Sequence, residues 1–191
     1  MPVTFYPGER FAVFTDGANF NYSKRNTVIF VDDFKLLRFF KENNGDSVFL
    51  RIYHYEAVPH DDGSASRADV ILSIRRRLDF LEYNGFTVVT KPAKDITSDA
   101  GEQYLKGNMD GEMIVDMMDI SASLDHIVIF SGDGDFRYAV QKLQQRGKRV
   151  TVVSSEGSIA NELKRQADIF VDLEELRPHI ESENMPYREP A

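Results

Sequence analysis

Short apolar runs alternate along this chain with stretches whose apolar residues recur every three or four positions, the first a strand signal and the second a helix signal. Arg10 to Thr15 (RFAVFT) reads as a first strand. Asn19 to Tyr22 then runs into a polar stretch, Ser23 to Thr27. A helix is expected from about Asp32, with Phe34, Leu37 and Phe40 on one face and a stop near Asn43-Asn44-Gly45. Ser47 to Val58 is strand-like, and Pro59 to Ser66 is a loop of turn residues. A long helix spans 67–83 with the stripe Ile71, Ile74, Leu78 and Leu81, and Phe86 to Thr90 is a third strand. Lys91 to Asn108 reads as a long connection and Asp110 to Ser121 as a helix. Ile127 to Phe130 is a fourth strand, apolar at every position as a strand buried on both faces would be. A helix over 136–146, a strand over 149–153, a short helix over 158–166 and a sixth strand over 168–173 complete the pattern.

Strands alternating with helices imply an α/β fold: one three-layer, Rossmann-like domain with a mostly parallel central sheet of five or six strands and helices on both faces. The favoured strand order is 3-2-1-4-5, with the sixth strand at the outer edge. That order sets the first and fourth strands side by side at the switch point, where open α/β sheets bind ligands. Residues 1–9 form a leader, 10–175 the domain, and 176–191 a tail expected to be mobile.

The 191 residues suffice for one domain with a real core, and a 42% hydrophobic, 28% charged composition is ordinary for a globular protein. The formal net charge of −8 excludes a diffuse basic surface, so a nucleic-acid partner would need local basic patches or a metal masking acidic groups. With no cysteine in the chain, disulfides and thiolate metal sites are ruled out. No apolar run reaches membrane-spanning length and the N-terminus lacks a signal-peptide core, so a cytoplasmic protein with no membrane association is expected.

The fourth strand ends in Ser131-Gly132-Asp133-Gly134-Asp135, and the first ends in Asp16-Gly17. Glycines allow a close backbone approach and positive φ. Two carboxylates two residues apart in a turn converge on one point, where they would repel a bare phosphate and favour a hard cation such as Mg²⁺ or Mn²⁺. The plainer alternative is an Asx-turn with Asp135 as a helix cap. Asp110 is the fourth candidate: it shares a helix face with Met113, Ile114 and Met117, where a carboxylate is costly unless paired or metal-bound, or else it is an N-cap. Asp116 lies about 120° round that helix, on a polar side with Glu112 and Asp119, and is a second-tier candidate. Four carboxylates at one point would take up a proton near neutral pH unless a divalent cation lay among them. The chemistry this predicts is metal-dependent phosphodiester hydrolysis, with water attacking in line and no covalent enzyme intermediate. The four histidines show no metal-ligand spacing.

Four pieces of sequence, in order, resemble the LabA-like branch of the NYN-domain family, in the PIN-like ribonuclease superfamily: Asp16-Gly17-x-Asn19, Lys106-Gly107 leading to Asp110 and Asp116, Ser131 to Phe136, and Ala167-Asp168-x-Phe170. The resemblance covers roughly residues 10 to 175. It implies a PIN-like fold and a Mg²⁺- or Mn²⁺-dependent ribonuclease site in which Asp16, Asp110, Asp133 and Asp135 carry the metal chemistry. It further implies that Asn19 and Ser131 orient water, a carboxylate or a phosphate, that Lys106 neutralises a phosphate, and that the substrate is single-stranded RNA. Two positions depart from the common pattern: the stretch between Lys106 and Asp110 is one residue longer, and Gly134 replaces a frequent serine.

Arg75, Arg76, Lys91 and Lys94 could join Lys106 in a phosphate-backbone track, although an arginine run on a helix is more often a solvated face. Tyr22, Tyr53, Tyr55 and Tyr104 could stack bases, with core packing favoured for Tyr53 and Tyr55. Two other functions compete. One is a non-catalytic module that binds RNA or a protein partner in the same cleft. The other is a haloacid-dehalogenase-like phosphatase, which would need an aspartate where Ala18 stands. A homodimer is left open.

Overall fold

Every residue of Phe11 to Thr15 and of His126 to Phe130 is buried, because these two strands lie at the centre of the sheet with helices above and below. The structure, a computed structural model, describes residues 2–42, 44–97 and 103–183, with residues 94–97 and 103–106 described by backbone alone. The strands are β1 (Arg10–Asp16), β2 (Val48–Pro59), β3 (Phe86–Thr97), β4 (Gln103–Lys106), β5 (His126–Phe130), β6 (Arg149–Ser154) and β7 (Ile169–Asp172). The helices are α1 (Gly17–Thr27), α2 (Asp33–Glu42), α3 (Ala65–Tyr83), α4 (Asp110–Ile120), α5 (Phe136–Gln145), α6 (Asn161–Gln166) and α7 (Leu173–Ile180).

The sheet order is β4-β3-β2-β1-β5-β6-β7. Without β4, it is six parallel strands in the expected order, 3-2-1-4-5-6. Alternate residues of the central strands feed opposite faces. Phe11, Val13, Val128 and Phe130 pack with α2, α3 and α7 through Phe40, Leu81 and Leu176. Ala12, Phe14, Ile127 and Ile129 pack with α4, α5 and α6 through Met113, Met117, Val140 and Leu163. β1 and β5 pair with Thr15 opposite Phe130, so Asp16 and Ser131 emerge side by side at the sheet's C-terminal edge.

Four expectations change. The polar stretch after β1 is the helix α1, started by Asp16, whose carboxylate accepts the Asn19 N–H, and anchored by Phe20 against the Phe130 ring at 5.1 Å. The connection from Lys91 is a hairpin: β3 runs on to Thr97 and β4 returns antiparallel, Lys94 opposite Lys106. The leader packs, Val3 being buried and Phe5 lying 4.3 Å from the Phe11 ring, centroid to centroid. The tail expected from residue 176 begins inside α7, whose Leu176 and Ile180 are buried, while residues 184–191 lie outside the described residues. No described helix is long and apolar enough to cross a membrane.

Candidate metal centre and its cleft

The turn after β5 is braced from beneath by α1 and from the side by β6. Gly132 donates its N–H to Asn19 Oδ1 at 2.7 Å. A Cβ on Gly132 would lie 2.4 Å from the Ser158 carbonyl oxygen and 2.7 Å from Ser154 Oγ. The turn's glycines are therefore not there for positive φ, which neither has; Gly132 is there because backbone packs against it. Gly17, beside Asp16, is confined in the same way by the Tyr55 carbonyl.

Local bonds hold these carboxylates in distinct ways. Asp133 Oδ1 accepts the Asp135 N–H at 3.0 Å, an Asx-turn. Asp135 begins α5 but makes no side-chain cap bond and is exposed. Asp110 is the first residue of α4 and likewise does not cap it. Asn108 grips Asp110 from both ends, its Oδ1 accepting the Asp110 N–H at 2.8 Å and its Nδ2 donating to Asp110 Oδ2 at 2.6 Å. Capping thus accounts for neither Asp110 nor Asp135. One carboxylate oxygen from each of Asp110, Asp133 and Asp135 lies within 4.8 Å of the other two.

Asp16 stands outside that triad, among the described residues, but lines the same cleft as Asp110 and Asp133. Its Oδ1 accepts the Asn19 N–H at 3.2 Å and its Oδ2 the Ser131 hydroxyl at 3.1 Å. Burial pushes its carboxyl above the usual carboxylate range, against the pull of those two bonds, and the charges of Asp110 and Asp133 add to the rise. Asp110 is also raised, by burial first and then by Asp133 and Asp135, against the Asn108 bond and Lys91. Negative charge is in excess here, as a cation site requires. These three oxygen donors, two on the turn after β5 and one at the start of α4, could hold a hard divalent cation.

Other candidates fall elsewhere. Asp116 is not in the triad; it accepts the Tyr55 hydroxyl at 2.8 Å beneath the cleft, and burial together with that carboxylate pushes the Tyr55 phenol up. Tyr53 stacks on Phe14 at 4.9 Å, so both strand tyrosines are packing residues. Lys91 donates to both oxygens of Glu112 at 2.8 Å. Arg75 lines a separate hollow with His60, Asp61 and Lys91, and Arg76 faces solvent. The side chains of Lys94, Tyr104 and Lys106 lie outside the described residues. The cleft, of about 310 Å³, is walled by Asn19, Tyr55, Glu56 and Asn108. Glu56 is paired with Arg77 and bonded to His54 Nε2 at 2.8 Å. Asn108 escaped the sequence reading, although an asparagine two residues before a helix-starting aspartate is an Asx-turn signal.

The NYN domain model matches residues 10–174. The chain is 32% identical over 179 residues, 93% of its length, to the low amplitude and bright protein LabA of Synechococcus elongatus, covering 90% of that protein. It is also 32% identical over 71 residues to an uncharacterized protein of Methanocaldococcus jannaschii, a match covering 36% of this chain and 30% of that one. The crystal structure of a Vibrio parahaemolyticus protein of unknown function is similar, with a TM-score of 0.67 and 25% identity over 90% of this chain and 96% of that one.

Proposed function

The chain belongs to the NYN domain family, and from that premise we propose that it is a metal-dependent ribonuclease acting on single-stranded RNA. The observation that carries the reading is the triad: three carboxylates from two separate elements, within 4.8 Å of one another and unspent on helix capping. Asp110, Asp133 and Asp135 would hold one Mg²⁺ or Mn²⁺, which when bound supplies a Lewis acid that polarises the phosphoryl group and eases deprotonation of water.

The chain's own residues do the rest. Asn108 fixes the rotamer of Asp110. Ser131 donates to Asp16 and accepts the Asp133 N–H at 3.2 Å, locking the end of β1 to the turn. Asn19 holds the Gly132 backbone, so α1 and the turn are tied together. Water attacks phosphorus opposite the departing oxygen, the P–O bond breaks, and the departing oxygen leaves with a proton. Asp16, doubly hydrogen-bonded and 7% exposed, serves this arrangement as a support and is poorly suited to be a phosphatase nucleophile.

The test is cleavage of a labelled panel of single-stranded RNA, structured RNA and DNA in Mn²⁺, Mg²⁺ or EDTA, with Asp133→Asn alongside. Cleavage of RNA that requires both the metal and Asp133 is expected. A folded wild type that binds RNA without turnover in either metal would instead favour a non-catalytic binding module.

A further inference from the structure

Beyond the cleft, the aspartate triad opens onto a second hollow on its far side. Asp133 lines the cleft; Asp135 lines the hollow, together with Gly134, Arg137, Tyr138, Glu162 and Arg165. Arg137 and Tyr138 come from the first turn of α5, and Arg165 from the last turn of α6. We propose that this hollow is a binding subsite for the single-stranded RNA that continues past the reacting phosphate, with Arg137 and Arg165 on its phosphates and Tyr138 stacking an unpaired base.

Three observations support the assignment. First, neither guanidinium has an ion-pair partner among the described residues, which is also true of Arg75 and Arg76 on α3, but Arg137 and Arg165 line the hollow that holds Asp135. Arg137 is also misplaced for helix stability, since a cation in the first turn opposes the helix dipole. An arginine that gains nothing from its own fold is free to meet an anion. Second, Tyr138 in the hollow is 64% exposed, with the Lys142 ammonium 5.1 Å from its ring centroid, so an aromatic ring and a third cation stand together. Cations interleaved with an aromatic ring are what a single strand requires, because every base has a stacking face and every linkage a charge. Third, the triad itself joins cleft and hollow, since Asp133 lines the one, Asp135 lines the other, and their carboxylate oxygens lie within 4.8 Å of each other. The cleft, the triad and the hollow then form one path, with Arg137 and Arg165 at its far end.

The inference rests on the ribonuclease reading for its ligand, so binding and cleavage are measured separately. Binding is read by fluorescence anisotropy of a fluorescein-labelled, mixed-sequence 12-mer of single-stranded RNA in EDTA, in an Asp133→Asn background. Adding Arg137→Ala and Arg165→Ala should weaken binding about tenfold or more and reduce the slope of log affinity against log salt by about 1.4, roughly 0.7 per phosphate contact on a single strand. Tyr138→Ala should weaken binding about fivefold or more, and Tyr138→Phe should restore it. Thermal melts guard against misfolding, and all three side chains are exposed. Unchanged affinity and salt slope in the double-arginine variant would overturn the subsite, as would a background protein that binds no RNA. If wild type cleaves with Mn²⁺ while the arginines leave binding untouched, the subsite fails and the nuclease stands. Arginine-dependent binding without turnover leaves the subsite standing and removes the nuclease.

Discussion

The Ser131 hydroxyl donates to Asp16 Oδ2 at 3.1 Å and accepts the Asp133 N–H at 3.2 Å, so one side chain ties the end of β1 to the aspartate turn after β5. Ser131→Ala leaves a buried carboxylate oxygen without its donor, which costs about 1–3 kcal/mol. The same change frees the Asp133 backbone, and loss of such a supporting bond lowers metal affinity or activity about 10- to 100-fold. Denaturant unfolding and steady-state cleavage against Mn²⁺ concentration check the two parts. A variant with wild-type kinetics would remove Ser131 from the site.

Like-charge crowding gives a second prediction, with its sign fixed by the raised Asp110 carboxyl. A group whose folded pKa lies above its unfolded value, and which is ionised at neutral pH, opposes folding there. Asp110→Asn should therefore melt higher than wild type in EDTA. Wild type should gain from metal, about 2.7 kcal/mol at a hundred times the dissociation constant, or roughly 5–10 °C for a chain of this size. The Asn variant should show little of that gain. Differential scanning fluorimetry across Mn²⁺ concentrations reads both, and equal shifts in the two proteins would exclude Asp110 as a ligand.

Gly132 has no room for a side chain, since its Cβ would sit 2.4 Å from a backbone oxygen that cannot swing away. Gly132→Ala must displace either the aspartate turn or the loop at Ser158. Overpacking of this kind costs about 1–3 kcal/mol, and the displaced turn should abolish cleavage even where the protein remains folded. Gly134→Ala makes a useful contrast, because its closest neighbour is the tip of the flexible Glu162 side chain. It should keep most of the stability, as chemical denaturation would show.

The parts of this fold legible in the sequence are those where burial dictates residue type. β1 and β5 are buried on both faces and read as unbroken apolar runs, and their positions gave the strand order and put Asp16 next to Ser131. α1 was illegible because Phe20 is its one large buried side chain, and its start depends on the Asp16 cap. β4 forms by pairing with β3 rather than by any pattern of its own. α7 was hidden by Pro178, although Asp172 and Glu175 form a capping box that announces a helix. Asp133 and Asp135 are legible from their turn and Asp110 from its place on an apolar helix face, whereas Asn108 and the Arg137 hollow depend on tertiary approach.

Val28 closes α1 in the left-handed region, at φ 54°, where a β-branched side chain is strained. Its N–H still satisfies the carbonyls of Lys24 and Arg25, and its side chain is 55% exposed, so nothing in the core requires valine. Val28→Gly should relieve about 1 kcal/mol of strain and raise the melting temperature by roughly 2–4 °C. A lower melting temperature would mean that the side chain contributes packing greater than the strain.

At the opposite edge of the sheet from the aspartate turn, Glu9 is clamped by Arg149, whose Nε donates to it at 3.0 Å, and by the Tyr6 N–H at 3.0 Å. Burial alone would raise its carboxyl, but hydrogen bonds from His126, Arg149 and Tyr6 outweigh that and hold it down to about 2. A carboxyl depressed from about 4.5 stabilises the folded state above its unfolded pKa and loses that contribution as pH falls through its folded pKa. The lost stability is at most about 3 kcal/mol, developing between roughly pH 5 and 2. Glu9→Gln should flatten that part of the acid-unfolding profile and, by leaving the half-buried Arg149 guanidinium without its anion, lower stability at pH 7. Urea midpoints at pH 3, 5 and 7 for the two proteins test this. The difference between them should shrink steadily as pH falls, and a difference that is constant across the three values would mean that Glu9 is not ionised against Arg149.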